Sequence, residues 1–149
     1  MDVRQQIDSD LTASLKNRDE VKVLTLRGVK TALGNVEIAN NRTPLTKDQI
    51  IKVLKSEVKK RRDAAALYEQ GGSQERADKE RKEIEIISAY LPAELSDEEI
   101  QKAVAAVVQE TGAASAADMG KVMGAVMARL KNGADGNRVS AAVKAALSA

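Results

Sequence analysis

Apolar residues recur every three or four positions along almost the whole chain, and no segment alternates at period two between turn signals. That spacing is one face of an α-helix, so the pattern predicts an all-α protein. Val3, Ile7, Leu11 and Leu15 mark a first helix, and Leu26, Val29, Leu33 and Val36 a second. The second stops near "NNRTPLT", where Asn40, Asn41 and Pro44 break it. Thr46 with Gln49 forms a capping box for a third helix, which runs through "IIKVLKSEVKKRRDAAALYEQ" to Gly71-Gly72. Ser73 is placed to cap a fourth, which ends where Leu91-Pro92 demands extended backbone.

The stretch "YLPAELSDEE" reads as a domain boundary, because Pro92 ends one helix and Ser96 with Glu99 makes a second capping box. Three short helices follow. Ile100, Val104 and Val107 line the fifth, which stops at Gly112. Met119, Val122, Met123, Val126, Met127 and Leu130 line the sixth, stopping near Gly133. Asp135 is placed to cap the seventh, lined by Val139, Val143 and Leu147. The expected architecture is an N-terminal four-helix domain over residues 1–92 joined to a small C-terminal three-helix tail domain over residues 93–149, with the hinge between Tyr90 and Ser96.

Composition narrows the chemistry. The 149 residues include no cysteine and no histidine, which removes thiol nucleophiles, zinc–thiolate sites and the commonest general base. No apolar run reaches the roughly 18 residues of a membrane span, and "MDVRQQIDSDL" lacks the order of a secretory signal, so a cytoplasmic location without membrane association is expected. With 24 basic and 22 acidic residues the net charge is only +2, so attraction to nucleic acid has to come from local clustering. Two tyrosines are the only aromatics, which argues against recognition of single strands by base stacking. Backbone readout is left open.

Local clustering is present in the third helix. Lys52, Lys55, Lys59 and Arg62 are spaced 3, 4 and 3, forming a cationic stripe beside an apolar one of Ile51, Leu54, Val58 and Ala65. Such a row follows phosphates, and it is also what a solvated helix face looks like; Glu57 and Asp63 partly neutralise it. In the sixth helix, "MGKVMG" resembles a phosphate loop, but Ser115 stands where the first glycine belongs and Val122 where a Ser or Thr should hold magnesium. Its Met, Val and Leu residues instead fall on one core-facing arc. Gly120 and Gly124 lie beside that arc, each costing about 1 kcal/mol against alanine, which calls for close approach by another helix or by a ligand backbone. Gly71 to Ser73, which read "GGS", lack the lysine and second serine of an amidase and read as a helix junction. No calcium loop is present, "SDEE" is explained by capping and the helix dipole, and no metal or cofactor is expected.

Taken in order, "TLRGVKTALGNVEI", "LKSEVKKRRDAA", "ADKERKEIEIISAYLP", "DMGKVMGAVM" and "GADGNRVSAAVKAAL" resemble the GatB/YqeY domain, from about Leu11 to Leu147. This is the family of free-standing YqeY-like proteins and of the C-terminal region of the B subunit of Asp/Glu-tRNA amidotransferase. The chain departs from the family pattern at "GGSQERADKE" and at Asn132-Gly133-Ala134-Asp135, where arginines are usual. The resemblance implies a helical domain with a tail domain similar to the part of the amidotransferase that holds tRNA. It also brings a family label of carbon–nitrogen ligase with glutamine as amide donor, although the kinase-like body and amidase subunit that do that chemistry are absent from a chain this short. The expected function is a non-catalytic module that binds tRNA or a tRNA-handling protein. Its candidate contacts are Lys52, Lys55, Lys59, Arg62, Gly120, Lys121, Gly124, Asn137 and Arg138. The alternative is a helical protein-interaction module that docks a partner helix on the Gly120/Gly124 face.

Overall fold

Seven α-helices and no strand form among the described residues of the computed structural model, which are 2–130 and 133–148. They are α1 (Val3–Lys16), α2 (Glu20–Ala39), α3 (Lys47–Gln70), α4 (Gln74–Ser88), α5 (Asp97–Thr111), α6 (Met119–Leu130) and α7 (Gly136–Ser148). The chain divides into two compact units, Met1–Leu91 and Pro92–Ala149.

In the first unit, Ile7, Leu26, Val29, Leu33, Ile50, Leu54, Val58 and Ile87 form one buried cluster, contributed by α1 to α4. The longest packed pair is α3 with α4. Helix starts follow the expected chemistry: the Thr46 hydroxyl accepts from the Gln49 amide at 3.2 Å while Gln49 Oε1 accepts from the Thr46 amide at 2.9 Å. A further capping box, Asp2 with Gln5, starts α1. The α2 stop is made by Asn41 and Arg42, both in the left-handed region at φ 55° and 59°.

Two expected core positions lie outside it. Leu15 is 48% exposed and Val36 is 38% exposed. At about 100° per residue, Leu15 sits roughly 80° away from Ile7, whereas Ser14 sits only about 20° away. Ser14 is therefore the buried one, its hydroxyl donating to the Asp10 carbonyl at 2.7 Å. Ser73 occupies the start of α4 but makes no side-chain cap; its amide instead donates to the Tyr68 carbonyl at 2.8 Å, closing the end of α3. Helix α4 stops at Ser88, short of Leu91-Pro92. Ser88 is four residues before Pro92, whose ring clashes with that carbonyl in a continued helix, so the chain tightens and the Leu91 amide bonds to Ser88 at 3.1 Å.

In the second unit, Ile100, Val104, Val107, Val122, Val126, Ala134, Val139, Val143 and Leu147 make a separate core, with Met119, Met123, Met127 and Leu130 packed against it. Ser96 and Glu99 form the expected box, Gly112 ends α5 with φ 67°, and Asp135 caps α7 through the Asn137 amide at 2.9 Å. A short 3-10 turn, Ala116–Asp118, precedes α6. Gly133 closes the unit. Its carbonyl accepts from the Leu95 amide at 2.8 Å, and a Cβ there would meet the Leu95 side chain at 3.0 Å and the Leu130 carbonyl at 3.1 Å. Asn132, the first residue of the second sequence departure, lies outside the described residues.

Candidate nucleic-acid interface

Helix α3 separates its cations. Lys52, Lys59 and Arg62 are exposed and make no hydrogen bond or ion pair among the described residues, while Lys55, in the same row, is half-buried. Arg61, between them, is drawn inward. Its Nη1 donates to Glu57 Oε2 at 2.8 Å and to the Glu57 carbonyl at 3.1 Å, and its Nε lies 3.4 Å from Glu83 Oε2 on α4. That Nε is buried without a well-angled partner. Gly28 of α2 faces the same guanidinium, a Cβ there falling 3.6 Å from Nη2. Glu57 is thus spent on Arg61 and does not neutralise the outer row. Nearby, burial first and then the Glu83 carboxylate hold Glu80 above the usual carboxylate range.

The second unit sorts its candidates differently from the sequence expectation. Gly120 and Gly124 are exposed, and a Cβ built on either meets nothing within 4 Å. Close packing by another helix of the unit is therefore not the reason for these glycines; the Met and Val arc packs inward and the glycines face open space. Lys121, between them, is exposed and unpaired among the described residues. Asn137 is exposed, its amide held by Asp135. Arg138 is already engaged. Its Nη2 donates to Asp97 Oδ1 at 2.7 Å and its Nη1 to Glu94 Oε2 at 3.4 Å, and the hydrogen bond to Asp97 raises its pKa further. The two acids sit just before and at the first turn of α5, so Arg138 of α7 is paired across to the start of that helix through partly exposed ion pairs.

A family model described as Yqey-like protein matches residues 4–147. The chain belongs to this family. No curated protein matches it. The YqeY-like match spans both units and so covers the α3 row as well as the α6 glycines.

Sequence reasoning missed one open cleft of mixed polar and apolar lining in this YqeY-like chain. Gln6, Asp10, Asp19, Lys22, Glu85 and Tyr90 line an open cavity of about 640 Å³ in the first unit. The Tyr90 hydroxyl donates to Asp10 Oδ2. Burial and that bond push the tyrosine pKa well above its usual value, so it stays a proton donor and is no base at neutral pH. Among the described residues no three acidic side chains gather as a metal site, and no helix is long and apolar enough to cross a membrane.

Proposed function

We propose that this YqeY-like chain acts as a non-catalytic module that binds the phosphate backbone of tRNA, with the outer row of α3 as its main contact. The supporting observation is the sorting of cations on that helix: Arg61 is neutralised inside, while Lys52, Lys59 and Arg62 stay exposed and unpaired among the described residues. Ten residues of helix separate the ends of this row by about 15 Å, enough to touch several phosphates of one strand. Lys121 adds a second contact, flanked by two glycines that allow a backbone to come close. Arg138 is already paired with Asp97 and Glu94 and is assigned no RNA contact.

The test is a tRNA titration at about 50 and 200 mM salt. Three phosphate contacts give a salt slope of about −2 to −3, so affinity falls roughly 20- to 60-fold across that range. Reversing Lys52, Lys59 and Arg62 to Glu together removes most of the affinity and of the slope, with the helical melt nearly unchanged. Binding that is absent, or insensitive to both salt and these reversals, defeats the proposal and favours the protein-interaction reading.

A further inference from the structure

Helices α2 and α3 present facing flanks that repeat at helical spacing. Gly28, Thr31, Ala32 and Asn35 of α2 and Ser56, Glu57 and Lys60 of α3 line an open groove of about 330 Å³ within the first unit. Gly28 and Ala32 keep its floor low. Its other polar side chains are unspent: Thr31, Asn35, Ser56 and Lys60 are exposed and make no hydrogen bond or ion pair among the described residues. Thr12, Ser14, Thr25 and Thr111 return their hydroxyls to the carbonyl four residues earlier, whereas those of Thr31 and Ser56 stay available. The acid of the groove, Glu57, is turned to Arg61. Lys60 is left as its uncompensated charge.

The groove adjoins the cationic row. On α3, Lys52 lies about one turn before Ser56, and Lys59 and Lys60 about one turn after it. A strand whose phosphates rest on the row therefore has its sugars beside the Ser56 hydroxyl. The two sets of groups differ in kind. Lysine and arginine only donate, which suits phosphate oxygens, whereas the hydroxyls of Thr31 and Ser56 and the amide of Asn35 both donate and accept. A ribose 2′-hydroxyl is likewise donor and acceptor, and DNA has none. We infer that the groove between α2 and α3 receives ribose 2′-hydroxyls of a bound RNA strand and makes this module prefer RNA to DNA. Thr31, Asn35 and Ser56 read the hydroxyls, and Lys60 adds a phosphate contact. The inference rests on the tRNA reading, since the outer row of α3 is what brings a strand to the groove.

The experiment uses the full chain and one hairpin sequence made as RNA, as DNA and as 2′-O-methyl RNA, titrated by fluorescence anisotropy at about 100 mM salt. RNA is expected to bind roughly tenfold tighter than DNA, the factor that one or two net hydrogen bonds supply. The 2′-O-methyl hairpin keeps RNA geometry but cannot donate and carries a methyl on each oxygen, so it falls to the DNA level. Thr31→Val, Asn35→Ala and Ser56→Ala together bring RNA down to that level and leave DNA affinity unchanged. Lys60→Gln weakens RNA and DNA alike and lowers the salt slope by about one. All four positions are exposed, and unchanged circular dichroism confirms that each variant folds. Equal affinity of the wild type for RNA and DNA overturns the inference and leaves the backbone reading standing. A preference that survives the triple variant, or that 2′-O-methyl RNA retains, also overturns it, because the hydroxyls are then read elsewhere or the strand is selected by its shape. Absence of salt-sensitive binding to any of the hairpins ends both readings.

Discussion

Gly124 and Gly133 should respond in opposite senses to the same substitution. At Gly124, inside α6, an added Cβ meets nothing within 4 Å. Alanine there removes the conformational cost of a helical glycine and adds no clash, so Gly124→Ala stabilises by about 1 kcal/mol. Gly120→Ala acts in the same direction but by less, because the first turn of a helix is less sensitive to propensity. At Gly133 the added atom lies 3.0 Å from Leu95 Cδ1 and 3.1 Å from the Leu130 carbonyl oxygen. The leucine tip can move, whereas the carbonyl belongs to the end of α6. Relief by shifting Gly133 itself strains the Leu95 amide bond of 2.8 Å. Gly133→Ala should therefore cost about 1–3 kcal/mol. For a chain of this size each kcal/mol moves the melting temperature by about 2–4 °C, so thermal melts followed by far-ultraviolet circular dichroism, with urea titrations beside them, resolve both signs. Destabilisation by Gly124→Ala would mean that something packs on the glycine face, and a neutral Gly133→Ala would mean that Leu95 is not seated. The pair also separates stability from binding: Gly124→Leu keeps the fold and, if a nucleic-acid backbone approaches α6, weakens tRNA binding.

Arg61→Met removes the partner of Glu57 and Glu83, which are about as buried as the arginine, and should cost about 3 kcal/mol in urea unfolding, with part recovered when Glu83→Gln is added. A loss under 1 kcal/mol would show the cluster to be water-filled. Tyr90→Phe removes the hydrogen bond to Asp10 and should cost about 1–2 kcal/mol at pH 7. Because the folded tyrosine has a raised pKa, its contribution is full below the unfolded value of about 10 and is lost as pH rises above it. The stability gap between wild type and Tyr90→Phe should thus be flat to about pH 9 and narrow through pH 10–11; a gap that widens there would contradict the assignment.

Most of the fold was legible because helix signals are local. Thr46 with Gln49, Ser96 with Glu99, Gly112 and Asp135 act within a single turn, and the structure uses each as its spacing indicates. Ser73 differs in its backbone: its amide closes the preceding helix on the Tyr68 carbonyl, and at φ −96° and ψ 69° it lacks the extended geometry from which Thr46 and Ser96 cap. For the glycines of α6 the structure removes one of the two expected reasons, packing by another helix of the unit, and leaves approach by a ligand backbone. A close neighbour exists instead at Gly133, where sequence showed only a stop signal.

The candidate site was harder to read because it depends on which charges meet, and that is a tertiary fact. At helical spacing Arg61 and Arg62 each lie about 50° from the centre of the stripe of Ile51, Leu54, Val58 and Ala65, one on either flank. One local signal distinguishes them: Glu57 stands four residues before Arg61 and pairs with it, whereas Val58 stands four before Arg62. Gly28 of α2 and Glu83 of α4 come in on the same Arg61 flank, so Arg61 is drawn inward and Arg62 stays in solvent. Arg138 and Lys121 differ in the same way. Arg138 meets Glu94 and Asp97, more than forty residues earlier in the chain, while Lys121 shares its face with Gly124, Ala125 and Ala128 and has no acidic partner among the described residues. A row of cations in a sequence is therefore a list of candidates, and packing removes the ones whose charge is already answered. In this chain Arg61, beside the row, turns inward and Arg138 pairs with Glu94 and Asp97, while Lys52, Lys59, Arg62 and Lys121 stay exposed and unpaired among the described residues.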